Sequence, residues 1–451
     1  MKAVLYNYDI YPKVFLVGYE KQITVTPLGA HAAFTADKEY TVRVYRVCEG
    51  NPGVYGERGG RFEVKVKPDG DGNLRFSGAF DREGEYFVNI HAEPDANFFC
   101  TLSLYALDED MKGRIPLRGD LHMHTCRSDG REAPATVAAN YRGHGYDFTV
   151  ISDHGRYYPS LEAINYFGDS TDLAIIQGEE VHLPLNDVHY VNFGGTYSIN
   201  ALVKPSLNDE AGEQIEKRSS NGIAPEPMSR EDFEAMIHER AKSVPCENLS
   251  ERLSFAVMEW VYEHIKNNGG LGIFPHPYWL CQMMHLPEDY TRFVYEKAPF
   301  DAFEVLGGEN YYQHNGFQVG LYYEMRAKGI DHPIVGSTDS HGSTEHNRNA
   351  LICSTIVFAK ANTREELISA IKEKYSVAVD TISKEYRVVG DFRLMKYASF
   401  LLENYFPIHD LACQTEGYYM NRMIAGDKRA EDILKAMKGQ IPEMQRKYFD
   451  V

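Results

Sequence analysis

The stretch Arg118–Gly130, RGDLHMHTCRSDG, sets two histidines one residue apart and follows them with an aspartate in a Ser-Asp-Gly turn. It comes directly after an apolar segment. In a β-strand, alternate side chains share a face, so His122 and His124 point together while Met123 faces the opposite, packed side. GSTDSHG repeats the device, with Asp339 and His341 one residue apart. Imidazole and carboxylate on one face form a set of nitrogen and oxygen donors. The absence of sulfur argues against a purely structural zinc site and suits zinc, manganese or iron.

Outward from this stretch, strand-like runs alternate with helical patterns, as in a parallel α/β domain. The strand candidates are LRGDLHMH, DFTVISDH, LAIIQGEEVH, VHYVNFGG, GLGIFPHP, DAFEVLGG and PIVGSTDSH. PATVAANYRGHG fits a first helix. LSERLSFAVMEWVYEHIKNNGG aligns Leu253, Val257, Trp260, Val261 and His264 on one stripe and stops at Gly269-Gly270. NTREELISAIKEKY starts from Asn362 or Thr363 as cap.

The residues able to bind metal cluster at the ends of these strands. The first offers His122, His124 and Asp129, and the second Asp153 and His154. The third offers Glu180 (or Glu179) and His182, the fourth His189, the fifth His276, and the last Asp339 and His341. In a parallel barrel the C-terminal strand ends share one face, so residues far apart in the chain would meet in one cavity. A single His-x-His is a weak signal, but six such strand ends in order are a strong one.

Taken together, DLHMHTCRSDG, ISDHG, GEEVH, PHP and GSTDSHG resemble the motifs of the PHP (polymerase and histidinol phosphatase) superfamily of metal-dependent hydrolases, over roughly residues 117–380. The resemblance implies an α/β fold, a distorted (β/α)7 TIM-like barrel, with two to three divalent ions (Zn, Mn or Fe). Carried over position by position, the ligands would be His122, His124, Asp129, His154, Glu180, His189, His276, Asp339 and His341. The family's Gly-x-Glu spacing selects Glu180 over Glu179. His182 and His189 compete for the next place, and His189 is preferred because VHYVNFGG reads as a strand approaching the site. GEEVH followed by DVHYVNFGG is also similar to the branch containing carbaryl-type ester and carbamate hydrolases.

The mechanism implied is hydrolysis by metal-activated water, with Glu180 and Asp339 serving catalysis through the ions they hold and Asp153 supporting ligands from behind. The expected substrate is a small, anionic, phosphorylated metabolite or nucleotide. Arg156, directly after the second motif, suits bidentate phosphate binding, ahead of Arg127, Arg131 and Arg348. Tyr157, Tyr158, Tyr278, Trp279 and His314 could form an aromatic wall. A carboxylester or carbamate hydrolase is the alternative chemistry. A non-catalytic carbohydrate- or protein-binding module is the alternative class, disfavoured by nine filled ligand positions.

Residues 1–115 read differently, as short alternating runs such as EYTVRVYRV, RFEVKVKP and GEYFVNIHAE separated by turn clusters, which predicts an N-terminal β-sandwich. The barrel is expected over 116–382, with a polar insertion at about 198–247 and a mostly helical extension over 383–451. At 451 residues the chain can hold two or three such domains. Its net charge of −18 disfavours nucleic acid as the main partner. Seven scattered cysteines without a Cys-x-x-Cys disfavour a disulfide framework. Neither a long apolar run nor a signal-peptide pattern is present, so a cytoplasmic protein without membrane contact is expected, and association into a homo-oligomer is compatible with the C-terminal helices.

Overall fold

In the strand Gly84–Ala92 every second side chain is buried, so one face looks inward and the other outward. The computed structural model describes residues 2–50, 54, 62–92, 99–211, 218–281, 283–308, 312–344, 351–381 and 387–451. Contacts divide the chain into two units. The first comprises Met1–Ile115, Phe392–Ala412 and Gly439–Val451; the second comprises Pro116–Asp391 and Cys413–Lys438.

The first unit contains a three-stranded antiparallel sheet, Tyr8–Tyr11, Glu20–Pro27 and Leu74–Ala79 in spatial order. Its second sheet runs Phe449–Asp450, Val14–Leu16, Phe99–Leu107, Gly84–Ala92, Tyr40–Arg46, Phe62–Val66. Ile23, Val25, Val42, Val88, Ile90 and Leu104 from both sheets share one hydrophobic core. The Lys13 ammonium is fully buried and bonded to Asp9 at 3.2 Å, and Asp9 also receives the Lys447 ammonium at 2.6 Å. The residues read as a C-terminal extension therefore do not form one separate piece. They are shared between the two units, because Phe449–Asp450 completes a sheet edge in the first and Glu416 meets Arg142 in the second.

The second unit is mixed α/β, and its described strands form two sheets rather than one closed barrel. The strands are β1 (Ile115–Asp120), β2 (Phe148–Val150), β3 (Ala174–Ile176), β4 (Gly178–Val181), β5 (Tyr190–Phe193) and β6 (Leu271–Phe274). They continue with β7 (Ala302–Leu306), β8 (Ile334–Gly336), β9 (Cys353–Ala359), β10 (Ser376–Asp380) and β11 (Arg387–Val389). One sheet has the order β3-β2-β1-β9-β10-β11 and the other β4-β5-β6-β7-β8. Single bridges link the two sheets: Met123 to Ser340, both beyond strand ends, and His154, just past β2, to Glu180 within β4.

Two features depart from the sequence-based expectation. β9 to β11 extend the first sheet beyond the seven expected strands. β5 is antiparallel to both β4 and β6, not parallel. The physical reason is the connection: residues 182–189 are too short for a crossover helix, which a parallel neighbour requires.

Helix α1 (Pro134–Gly143) opens on a proline in its first turn, while α2 (Arg230–Arg240), α3 (Leu249–Asn267) and α4 (Arg364–Lys372) follow side-chain caps. The Ser229 side chain caps α2, Asn248 caps α3 and Thr363 caps α4. Trp260 and Val261 of α3 pack in one core with Phe233, Phe274 and Phe303. The insertion carries α2 and a short parallel pair, Val203–Lys204 with Met228–Ser229.

Candidate metal centre

Past Asp120 the chain stays extended and is gripped from both sides. The His124 amide donates to the Ser340 carbonyl at 2.8 Å, and the Ser152 amide to the Met123 carbonyl at 2.9 Å. The alternation therefore persists: Met123 packs with Val137, Tyr141 and Tyr146 under α1, while both imidazoles turn to the other side. There the His124 Nε2 lies 2.8 Å and the His122 Nε2 3.3 Å from Asp339 Oδ1, from opposite ends of the unit.

Glu180, fully buried, is the hub. Its Oε1 lies 2.8 Å from His189 Nδ1, 3.4 Å from His122 Nε2 and 3.5 Å from His276 Nε2. Its Oε2 lies 2.5 Å from His154 Nδ1 and 3.5 Å from His124 Nε2. Four donor sets result, each with its atoms within 4.8 Å of one another: His122, His124, Glu180 and Asp339; Glu180, His189 and His276; His124, Asp129, His154 and His341; and His154, Glu180 and His182. All nine residues implied by the motif resemblance meet here. The antiparallel course of β5 explains His189, since the start of that strand lies beside the ends of β4 and β6.

His182 joins them as well, with Nε2 at 3.4 Å from Glu180 Oε2 and 2.8 Å from His154 Nδ1. The choice between His182 and His189 thus dissolves, because both reach the hub.

Whether these atoms fit a cation is answered by what they do not bond. Buried His122 Nε2, His189 Nδ1, His276 Nε2 and both oxygens of Glu180 have no partner in hydrogen-bond geometry. Buried polar atoms are normally satisfied. Here they crowd within 4.8 Å of one another without making hydrogen bonds, as ligands of divalent ions do.

The electrostatics agree. Burial alone would raise the Glu180 carboxyl, but the field of His189, His154 and His122 holds it well below the usual carboxylate range. Burial and the neighbouring His154 push His124 down to about 3. Against the effect of burial, Glu180 and Asp129 lift His154 to about 10. Asp339 (φ +51°) and His276 (φ +28°) are also non-glycine residues in left-handed backbone, an arrangement costing about 1–3 kcal/mol each that persists where the surroundings impose it. Gly130 serves the same end: a Cβ there would stand 2.6 Å from the His124 carbonyl, so only glycine lets the Asp129 turn close on the strand.

Behind the donors stand further carboxylates; the sequence reading named Asp153 in this role but missed Glu304 and Asp120. Glu304, buried in β7, accepts from His122 Nδ1 at 3.2 Å and from the His276 amide at 3.2 Å, orienting two donors at once. Its signal was a lone acid inside the apolar run AFEVL. Asp120 clamps Thr338, through its hydroxyl at 2.6 Å and its amide at 3.0 Å. Asp153 receives the Thr125 and Ser128 amides and hydroxyls at 2.5–3.0 Å, which fixes the turn presenting Asp129. Glu179 turns away to Ser198, Ile199 and Asn200. Replacing Glu304 with alanine should weaken divalent-metal affinity by about 10–100-fold with little change in circular dichroism. Competition with a fluorescent chelator measures this, and unchanged affinity would remove Glu304 from the support of the site.

The expected substrate contacts fare unevenly. Arg156 is half-buried two residues past His154. Arg127 is held in a bidentate pair with Glu162 at 2.8 Å, and Arg131 is exposed. Arg348 lies outside the described residues. Tyr157 is buried with its hydroxyl on the Gly195 carbonyl, and Tyr278 and His314 are buried as well. Trp279 stands beside the cluster, 6.1 Å from the His189 ring and 6.0 Å from the His276 ring. His285, missed in the sequence, packs 5.1 Å from His189.

No family model matches the chain, and no curated protein matches it. Solved structures do. One is a two-domain protein from Bacteroides vulgatus containing a predicted PHP-like metal-dependent phosphoesterase; it is 16% identical, with a TM-score of 0.38, and the match covers 59% of this chain and 65% of that one. A proposed metal-dependent phosphoesterase from Bifidobacterium adolescentis is 16% identical with a TM-score of 0.33, over 52% of this chain and 92% of that one. An amidohydrolase from Chromobacterium violaceum with bound sulfate is 16% identical with a TM-score of 0.30, over 51% and 89%. Among the described residues no helix is long and apolar enough to cross a membrane.

Proposed function

We propose that this chain is a metal-dependent phosphoesterase hydrolysing a small anionic metabolite or nucleotide. The supporting observation is the convergence of nine nitrogen- and oxygen-bearing side chains, among which buried ligand atoms of His122, Glu180, His189 and His276 lack hydrogen-bond partners. Two to three ions of zinc, manganese or iron suit that donor set. When bound they would lower the pKa of water from about 16 to about 7 and neutralise charge on phosphoryl oxygens.

The chain's own residues do the rest. Glu180 presents one oxygen toward His189 and His276 and the other toward His154, so one carboxylate serves two neighbouring positions. Asp339 is held against His122 and His124 from the far side. Arg156, two residues past His154, is the candidate for phosphate oxygens. Trp279 offers an apolar flank. The fold reading that goes with this function is a distorted (β/α)7 barrel opened at two seams, supported by the bridges Met123–Ser340 and His154–Glu180.

After chelation and dialysis, the protein should hydrolyse para-nitrophenyl phosphate only when manganese, zinc or ferrous iron is returned. Para-nitrophenyl acetate should stay near background. Metal-dependent turnover of the acetate alone would replace the phosphoesterase with a carboxylester hydrolase.

A further inference from the structure

A cavity of about 120 Å³ opens beside the cluster, walled by Leu183, Val203, Pro205 and Leu207, with His182 at its edge. His182 belongs to both places, since its Nε2 also lies 3.4 Å from Glu180 Oε2. The two fixed cations on the wall are already compensated. The Lys204 ammonium is bonded to Asp209, and the Arg230 guanidinium meets Glu234 at 2.7 Å. A recess without free fixed charge, lined by Leu183, Pro184, Val203, Pro205 and Leu207 with Asn200 and Ser206 among them, thus adjoins a cluster that would attract anions once it held metal. Gly155 shapes its floor: its φ is +64°, and a Cβ there would press to 2.9 Å from Leu207 Cδ1.

We propose that this recess is the subsite for an uncharged arm of the substrate, which makes the substrate class a phosphomonoester with a short aliphatic group. The inference rests on the phosphoesterase reading. The volume equals that of roughly four water molecules, so an arm of about four heavy atoms fills it. Burying each methylene releases apolar surface from water, and affinity should rise roughly threefold per added methylene until the recess is full. The insertion supplies much of the wall, through Val203, Pro205 and Leu207, so it sets specificity rather than chemistry.

The test uses the full chain reconstituted with manganese and measures binding of methyl-, butyl-, hexyl- and octylphosphonate by calorimetry. Butylphosphonate should bind at least tenfold more tightly than methylphosphonate, with no further gain at hexyl or octyl. Leu207 is 44% exposed, so its replacement is compatible with folding. Leu207→Trp should bring butylphosphonate down to the affinity of methylphosphonate while leaving the latter unchanged. Leu207→Ala should carry the gain on to hexylphosphonate. Equal binding of methyl and butyl by the unaltered protein, or a chain-length profile that neither variant moves, overturns the subsite and leaves the phosphoesterase reading standing. Failure of methylphosphonate itself to bind overturns both.

Discussion

Glu180→Ala should empty the site of metal and lower phosphatase turnover by about 10³-fold or more, as happens when a member of an interdependent catalytic set is removed. Its two oxygens lie within 3.5 Å of six imidazole nitrogens, those of His122, His276, His189, His154, His124 and His182. No other described carboxylate occupies that position. The deletion therefore removes an anionic ligand and leaves a cluster of imidazoles facing one another. Glu180→Gln, nearly the same shape, separates charge from volume and should lose metal almost as fully. Elemental analysis alongside turnover of para-nitrophenyl phosphate checks both. An alanine variant that keeps its metal and its activity would show that the hub is placed wrongly.

The same cluster fixes the sign of the pH dependence. With no ion bound, His154 holds its proton more tightly than a free imidazole, because Glu180 and Asp129 outweigh its burial. Metal uptake has to displace that proton, so affinity falls as the pH is lowered.

Glu416→Ala is expected to be the most destabilising single change away from the site. Arg142, on α1, is fully buried, and its guanidinium donates to Glu416 Oε2 at 2.8 and 2.6 Å. The other oxygen of Glu416 accepts from the Thr171 hydroxyl at 2.5 Å and the Asp172 amide at 2.7 Å. Removing the carboxylate leaves the buried guanidinium with only Asp147 at 3.6 Å and the Tyr146 carbonyl at 2.8 Å, a cost approaching about 3–5 kcal/mol. In a unit of this size that corresponds to a fall of roughly 5–8 °C in Tm, read by calorimetry. The double variant Arg142→Met, Glu416→Leu should recover much of the loss, since a well-packed apolar pair avoids desolvating charge. A Tm that Glu416→Ala leaves unmoved would mean that solvent reaches the pair.

What could be read in advance followed from local rules. His122 and His124 were legible because strand alternation is a two-residue property, and Ser229 and Thr363 because capping is a short-range one. The direction of β5 was legible in principle: eight residues between Val181 and Tyr190 do not hold a crossover. Glu304 escaped notice because one acid in AFEVL looks incidental until its two partners, 182 and 28 residues away, are known. The fate of the C-terminal residues was not legible at all. Their helical patterns are plain, but which unit each joins depends on distant pairs such as Tyr105 with Tyr397, whose ring centroids are 4.9 Å apart, and Arg142 with Glu416.

The interleaving of the two units along the chain has a consequence for synthesis. The strand Phe449–Asp450 and the Lys447 ammonium on Asp9 complete the first unit, yet the ribosome makes them only after every segment assigned to the second. The usual N-terminal-first order of maturation is thereby inverted. The domain holding the metal donors can close while its predecessor still waits with an open sheet edge beside Val14–Leu16. Chaperones that shield such edges would find their client in that half-made state, and a nascent chain whose residues up to about 440 have left the ribosome should bind metal before its N-terminal portion resists protease.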